Sequence, residues 1–206
     1  MERDQLMGRM THPTSCDDPH EALIHLAGGF FGPDLADAMT CVPPEQVPEP
    51  FSRLLVHHEH MTTVLGQYHG TPVALEVLEQ RLAGDVYDRR ILLRASDTQR
   101  VIEVGVARID FRYTSDPVRE EVLQGRAPLG EILIRHDVLR RIEPLWFFRC
   151  EPADPLSQPF GRPLDGPIYG RLGVIHCNGS PAIELLEVVT GQRASTVKEH
   201  PDERIG

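Results

Sequence analysis

Two pairs of apolar segments, each joined by a short polar turn, constrain the fold of this chain most strongly. The first pair covers residues 91–95 and 101–109, with five residues of turn composition between them. The second pair covers residues 169–176 and 182–189, around an Asn-Gly-Ser turn. Strands joined by such tight turns pair antiparallel. The sequence therefore predicts two β-hairpins.

Helical patterns lie before and between these hairpins. Val118, Val122 and Leu123 recur at helical spacing, and Pro128-Leu129-Gly130 is a typical helix start. Hairpins with helices gathered between them predict an α+β fold, an antiparallel β-sheet with helices packed on one face. A nucleotide-binding parallel sheet is disfavoured, because the chain has no Gly-rich phosphate loop.

The distribution of Pro and Gly predicts three regions. Residues 1–50 are rich in chain breakers and are expected to form an N-terminal arm, partly disordered. Residues 51–191 carry the regular patterns and form the domain. Residues 192–206 form a polar tail. Within the domain, the Pro-rich segment 152–167 is long enough to act as a lid or flap.

Charge and composition limit the possible partners. The formal net charge of −10 over 206 residues argues against a nucleic-acid partner, which would require a basic face. The chain has neither a signal peptide nor an apolar segment of about 20 residues, so we expect no membrane and a cytoplasmic location. The oligomeric state is left open, and a monomer would suffice.

Arg89 is the first candidate for a ligand contact. On a strand it shares a face with Ile91 and Leu93, whereas Arg90 and Arg94 share the other face. Such an arginine either reaches solvent from a strand end or is buried with an anion. In the second case its planar guanidinium could receive a carboxylate through two parallel hydrogen bonds.

Two glutamates in the last apolar run are the second candidate. Glu184 and Glu187 lie three residues apart, so they point to opposite faces of an uninterrupted strand. An inward carboxylate is costly unless it is paired or protonated. The sequence leaves open which of the two faces inward, and either could lie at an edge in water.

The histidines do not make a convincing metal site. His57 and His60 could share a helix face, but His58 would point elsewhere and no third ligand has a recognised spacing. We therefore expect no metal and no cofactor.

Four short motifs, in order along the chain, resemble those of the chorismate pyruvate-lyase family. They are Met61-Thr62, Arg89-Arg90-Ile91-Leu92-Leu93, Pro128-Leu129-Gly130 and Glu187-Val188-Val189. The resemblance covers roughly residues 54–191. It implies that Arg89 binds the ring carboxylate, that the backbone around Met61, Leu129 and Gly130 completes the pocket, and that Glu187 meets the ring hydroxyl or handles a proton.

The activity implied by this resemblance is a lyase reaction. The chain would convert chorismate to 4-hydroxybenzoate and pyruvate without a cofactor, with Arg89 and Glu187 as catalytic residues. One alternative is a related enzyme that makes another isomer, such as 3-hydroxybenzoate. Another is a noncatalytic aromatic-acid-binding module, because the same fold also serves as the effector-binding domain of many bacterial transcription regulators.

Overall fold

A seven-stranded antiparallel sheet forms the centre of the molecule. The computed structural model describes residues 17–151, 156–161, 164 and 166–193. The strands are β1 (Met39–Val42), β2 (Val73–Ala83), β3 (Val86–Ala95), β4 (Val101–Asp110), β5 (Arg140–Cys150), β6 (Ile168–Cys177) and β7 (Ser180–Val189). Their order across the sheet is β1-β5-β6-β7-β4-β3-β2.

The two predicted hairpins are confirmed, and they lie side by side. Strands β3 and β4 form the first hairpin, β6 and β7 form the second, and β4 pairs with β7 to join them. The second turn contains Asn178 and Gly179, both with positive φ. These residue types adopt that backbone conformation most readily, which explains why the chain reverses there.

In the described residues, five α-helices cover the two faces of the sheet unequally. They are α1 (Pro19–Phe31), α2 (Phe51–Leu55), α3 (Met61–His69), α4 (Asp116–Gln124) and α5 (Leu129–Arg135). Helices α2 to α5 pack on the face that carries Ile91, Ile109 and Ile183. The predicted α+β class with an antiparallel sheet is thus confirmed. Helix α1 lies on the opposite face.

Part of the predicted N-terminal arm belongs to the core. Helix α1 is capped by Asp18, whose side chain accepts hydrogen bonds from the backbone N–H groups of His20 and Glu21. Its Leu23 and Leu26 are buried against the sheet, and β1 pairs with β5. Residues 1–16 and the tail after residue 193 lie outside the described residues.

The predicted lid is only partly described. Residues 158–160 form a 3₁₀ turn in which Phe160 is buried in the core. Residues 152–155, 162, 163 and 165 lie outside the described residues. Of the helices in the described part of the chain, none is long and apolar enough to cross a membrane.

Strand β2 is an edge of the sheet over 11 residues. Glu76, Glu79 and Arg81 lie on the sheet face that carries α1, and the apolar Leu78 and Leu82 are exposed. Glu76 pairs with Arg94 and Glu79 pairs with Arg90 of the neighbouring strand.

Candidate ligand-binding site

A cavity lies between the sheet and the starts of α3 and α5. It encloses about 520 Å³, counting the part that opens to solvent. Most of its wall is apolar, and four of its lining residues are ionisable. The lining residues are His60, Met61, Thr62, Leu75, Arg89, Ile91, Leu93, Glu103, Gly105, Val106, Ala107, Pro128, Leu129, Gly130, Ile175, Leu185, Leu186 and Glu187.

Strand register places the polar side chains on one face of the sheet. Gly105 of β4 pairs with Ile91 of β3 and with Glu187 of β7, and Glu187 in turn pairs with Arg171 of β6. Residues opposite one another in a sheet project to the same side. Gly105 therefore lets neighbouring side chains lie close over β4, since a Cβ atom there would lie 3.0 Å from Cδ1 of Ile91.

Arg89 is buried, with only 2% of its surface exposed. Its Nε and Nη1 atoms have no hydrogen-bond partner among the described residues. Burial lowers the pKa of Arg89 from its ordinary value, and the nearby Tyr87 hydroxyl opposes that shift. Guanidinium groups nevertheless stay protonated in proteins. The cavity therefore contains a positive charge with free donors.

Glu187 is already paired. Its Oε2 atom accepts a hydrogen bond from Nε of Arg171 at 2.6 Å. Arg171 is itself buried, and its Nη1 atom donates to the backbone oxygens of Leu55 at 2.9 Å and His57 at 3.0 Å. The ion pair thus ties the sheet to the segment between α2 and α3.

Glu103 is a second carboxyl group in the same cavity. It is 3% exposed, and its Oε2 atom has no hydrogen-bond partner among the described residues. Burial, and to a smaller extent the negative charge of Glu187, raise the pKa of Glu103 well above its ordinary value. Burial disfavours the ionised form of a carboxyl, so we assign Glu103 as neutral.

His60 forms the wall near α5. Its Nε2 atom accepts a hydrogen bond from Nε of Arg140 at 2.5 Å. Burial and the charge of Arg140 lower the pKa of His60 to about 4, so the ring is neutral near pH 7. Gly130 packs directly on this ring, since a Cβ atom at residue 130 would lie 2.9 Å from its Cγ atom.

The structure distinguishes the two glutamates of β7. Glu187 lines the cavity, whereas Glu184 faces the other side of the sheet, where its Oε2 atom lies 3.9 Å from Nη1 of Arg108. Burial raises the pKa of Glu184 to about 7.

His57 and His58 each contact a separate backbone oxygen. Nε2 of His57 contacts the backbone oxygen of Leu54 at 2.7 Å, and Nδ1 of His58 contacts that of Ile142 at 3.0 Å. Within residues 17–151 and the later described segments, no group of three His, Cys, Asp or Glu side chains could hold a metal ion.

All five site residues taken from the sequence line this one cavity: Met61, Arg89, Leu129, Gly130 and Glu187. Their roles toward a ligand stay predictions. Sequence reasoning missed Glu103 and Arg171. Each carried a usable signal, because a charged residue in a strand with apolar neighbours must be paired, protonated or functional.

Comparison with known proteins shows the fold. No family model and no curated protein matches the chain. The solved structure of PhnF from Mycobacterium smegmatis matches with a TM-score of 0.52 and 12% identity, over 69% of this chain and 68% of that chain. The chain thus shares its fold with PhnF.

Two further structures match less well. The effector domain of PhnF from the same organism matches with a TM-score of 0.46 and 11% identity, over 65% of this chain and 89% of that chain. A possible transcriptional regulator, YydK from Bacillus subtilis, matches with a TM-score of 0.45 and 10% identity, over 65% of this chain and 64% of that chain.

These findings correct the functional expectations. The predictions of membership in the chorismate lyase family, of an enzyme and of chorismate as substrate are wrong, because the structural neighbours are regulators and their effector domains. The structure adds one partner that the resemblance did not imply, since Oε2 of Glu187 accepts a hydrogen bond from Arg171. The exclusion of a nucleic-acid partner is also wrong, because the fold is shared with a regulator.

Proposed function

We propose that this chain is a noncatalytic effector-binding domain whose cavity holds a small organic molecule bearing one carboxylate. The observation that carries this proposal is Arg89. A buried guanidinium with two unpaired donor atoms is unfavourable by itself. A carboxylate would supply the charged acceptor that these donors lack.

The remaining wall indicates the rest of the ligand. Met61, Leu75, Ile91, Leu129 and Leu185 present apolar surface around Arg89. An aromatic ring or a compact aliphatic body would bury its surface there and gain hydrophobic free energy. Aromatic carboxylic acids combine both features, and they are the ligands that we propose to test first.

The likeness to PhnF, a protein with an effector domain, supports ligand binding, and not catalysis, as the function of this site. In this proposal the domain binds the ligand, and any effect on a nucleic acid passes through a separate DNA-binding domain.

Calorimetric titration with benzoate, 3-hydroxybenzoate and 4-hydroxybenzoate tests this function, with benzamide as the uncharged control. We expect at least one acid to bind and benzamide to bind at least about 10-fold more weakly, since the charged hydrogen bonds are lost. Arg89→Met should abolish the difference. Arg90→Met is the matched control, because Arg90 is on the same strand but pairs with Glu79 on the other face. Equal binding by wild type and Arg89→Met would refute the proposal.

A further inference from the structure

Glu103 is the one ionisable group of the cavity that neither the sequence analysis nor the proposed carboxylate site uses. It is on β4 and pairs with Leu93 of β3 and Val189 of β7, one row along from Gly105 and Glu187. A Cβ atom at residue 105 would lie 3.1 Å from Oε1 of Glu103. The glycine therefore gives this carboxyl group room to lie against β4 while it faces the cavity.

The unsatisfied oxygen of Glu103 requires an explanation. A buried polar atom without a partner costs roughly 1–3 kcal/mol, and Oε2 of Glu103 is such an atom among the described residues. An apolar residue would fill this position on the sheet at lower cost. A group from a bound ligand would supply the missing partner, in the same way that a carboxylate would satisfy Arg89.

The charges of the cavity decide what that group is. The charged groups facing Glu103 are Glu187 on β7, Arg171 on β6 and, farther along the face, Arg89 on β3. Glu187 and Arg171 neutralise each other through their 2.6 Å contact. If Glu103 is neutral, the cavity carries the single positive charge of Arg89, which one carboxylate balances.

We propose that Glu103 is a specificity-determining residue that presents a protonated carboxyl group to a neutral hydrogen-bonding group, such as a hydroxyl, of a monoanionic ligand. This inference rests on the proposed function, because it assumes that Arg89 holds the carboxylate. A site of this kind accepts hydroxy acids and disfavours zwitterions, whose ammonium group would require Glu103 to lose its proton in a buried position.

Burial supports this assignment independently of the ligand. It raises the pKa of Glu103, and the neighbouring Glu187 adds to the shift while Arg171 opposes it. A protonated carboxyl can donate one hydrogen bond and accept others. It can therefore pair with a hydroxyl in either direction.

Matched ligands test the inference. Calorimetry would compare benzoate, 3- and 4-hydroxybenzoate, and 3- and 4-(aminomethyl)benzoate against wild type, Glu103→Gln and Glu103→Leu. We expect the better hydroxybenzoate to bind wild type about 10-fold more tightly than benzoate and than its aminomethyl counterpart. Glu103→Gln should keep most of this preference, because an amide also donates and accepts. Glu103→Leu should reduce the ratio to about one without weakening benzoate.

Proton exchange gives a second readout on the unchanged protein, which does not depend on any variant folding. Binding of the hydroxybenzoate at pH 7 should give the same heat in phosphate and in Tris, because no proton is released. A preference for the aminomethyl acid with release of one proton would overturn the inference, as would an unchanged hydroxyl preference in Glu103→Leu. If benzoate binds through Arg89 but Glu103 has no effect, this inference alone fails. If no acid binds, it fails together with the proposed function.

Discussion

At the scale of single residues, two buried arginines on the same sheet face have opposite environments. Arg171 is surrounded by acceptors, namely the carboxylate of Glu187 and the backbone oxygens of Leu55 and His57. Arg89 has two donor atoms without partners among the described residues. The first arginine holds the structure together, whereas the second is available to a ligand.

The two arginines should therefore respond oppositely to substitution by Met. Arg171→Met leaves Glu187 buried without its partner, and we expect it to lower the free energy of unfolding by roughly 3–5 kcal/mol. Arg89→Met removes an uncompensated charge and keeps most of the volume, so we expect an increase of about 1 kcal/mol. Urea unfolding followed by circular dichroism measures both values. A loss of stability in Arg89→Met as large as that in Arg171→Met would contradict this assignment.

Glu184 should make the stability depend on pH. Its pKa is raised to about 7, mainly by burial, from an ordinary value of 4.5. The folded state therefore holds a proton that the unfolded state releases. The resulting stability is complete below about pH 4.5 and is lost as the pH rises through about 7.

Glu184→Gln removes this proton linkage. We expect the free energy of unfolding of the variant, minus that of wild type, to increase by about 1–3 kcal/mol from pH 5 to pH 8. Unfolding by urea at several pH values, analysed as the difference between the two proteins, measures the effect. The same difference at pH 5 and pH 8 would show that Glu184 does not titrate in this range.

At the scale of elements, contact between the start of α5 and the loop before α3 shapes the cavity. Gly130 leaves no room for a side chain, because a Cβ atom would lie 2.9 Å from the ring of His60. We expect Gly130→Ala to displace His60 from Arg140 and to destabilise the protein by about 1–3 kcal/mol. The same change should weaken benzoate binding, and calorimetry with thermal unfolding would measure both effects.

Gly66→Ala in α3 is the matched control. The added Cβ atom would lie 3.5 Å from the nearest atom, the backbone oxygen of Thr71, which is an ordinary contact. Alanine favours a helix interior over glycine by about 0.5–1 kcal/mol, so this variant should be slightly more stable. Similar destabilisation by both alanines would mean that the packing of Gly130 on His60 has no special importance.

The elements differed in how well the sequence predicted them. The β3–β4 and β6–β7 hairpins were predictable, because turn residues separate long apolar runs. For α1 the sequence suggested a short helix over residues 19–26 within a partly disordered arm, whereas the helix runs on through Gly28 and Gly29 to Phe31 and packs in the core. Its tertiary contacts, which stabilise it against the sheet, are not visible in local composition.

The site was predictable only in part. Alternation along a strand placed Arg89 with Ile91 and Leu93, and family resemblance singled out Glu187. Their partners depend on the pairing of β4 and β6 with β7, which brings together residues distant in sequence. No local pattern specifies that register, so the neutral role of Glu103 and the pairing by Arg171 emerged only from the fold.

At the scale of the whole molecule, one sheet separates the cavity from helix α1. Val106 and Leu186 belong to the core beneath α1 and also lie at the cavity wall. A ligand in the cavity therefore contacts strands whose side chains also form the core on the opposite face, beneath α1. Binding should accordingly stabilise the molecule as a unit and not only the helices around the cavity.

This predicts a global response to a bound acid. At a free ligand concentration 100 times the dissociation constant, we expect the free energy of unfolding to rise by about 2.7 kcal/mol. Hydrogen exchange should slow in α1 as well as in α3 and β4. Thermal unfolding and exchange measured by mass spectrometry test this on wild type, with Arg89→Met as the variant expected to show no response. Protection confined to α3 and α5 would contradict coupling across the sheet.

The open edge at β2 has a consequence for handling the protein at high concentration. A long edge strand can pair with that of another molecule and begin aggregation, and charged side chains oppose such pairing. Here the charges of Glu76, Glu79 and Arg81 flank the exposed Leu78 and Leu82. Near the sequence pI of about 5.4 the repulsion between molecules is weakest. Turbidity should therefore be highest near that pH, and Leu82→Lys should reduce it.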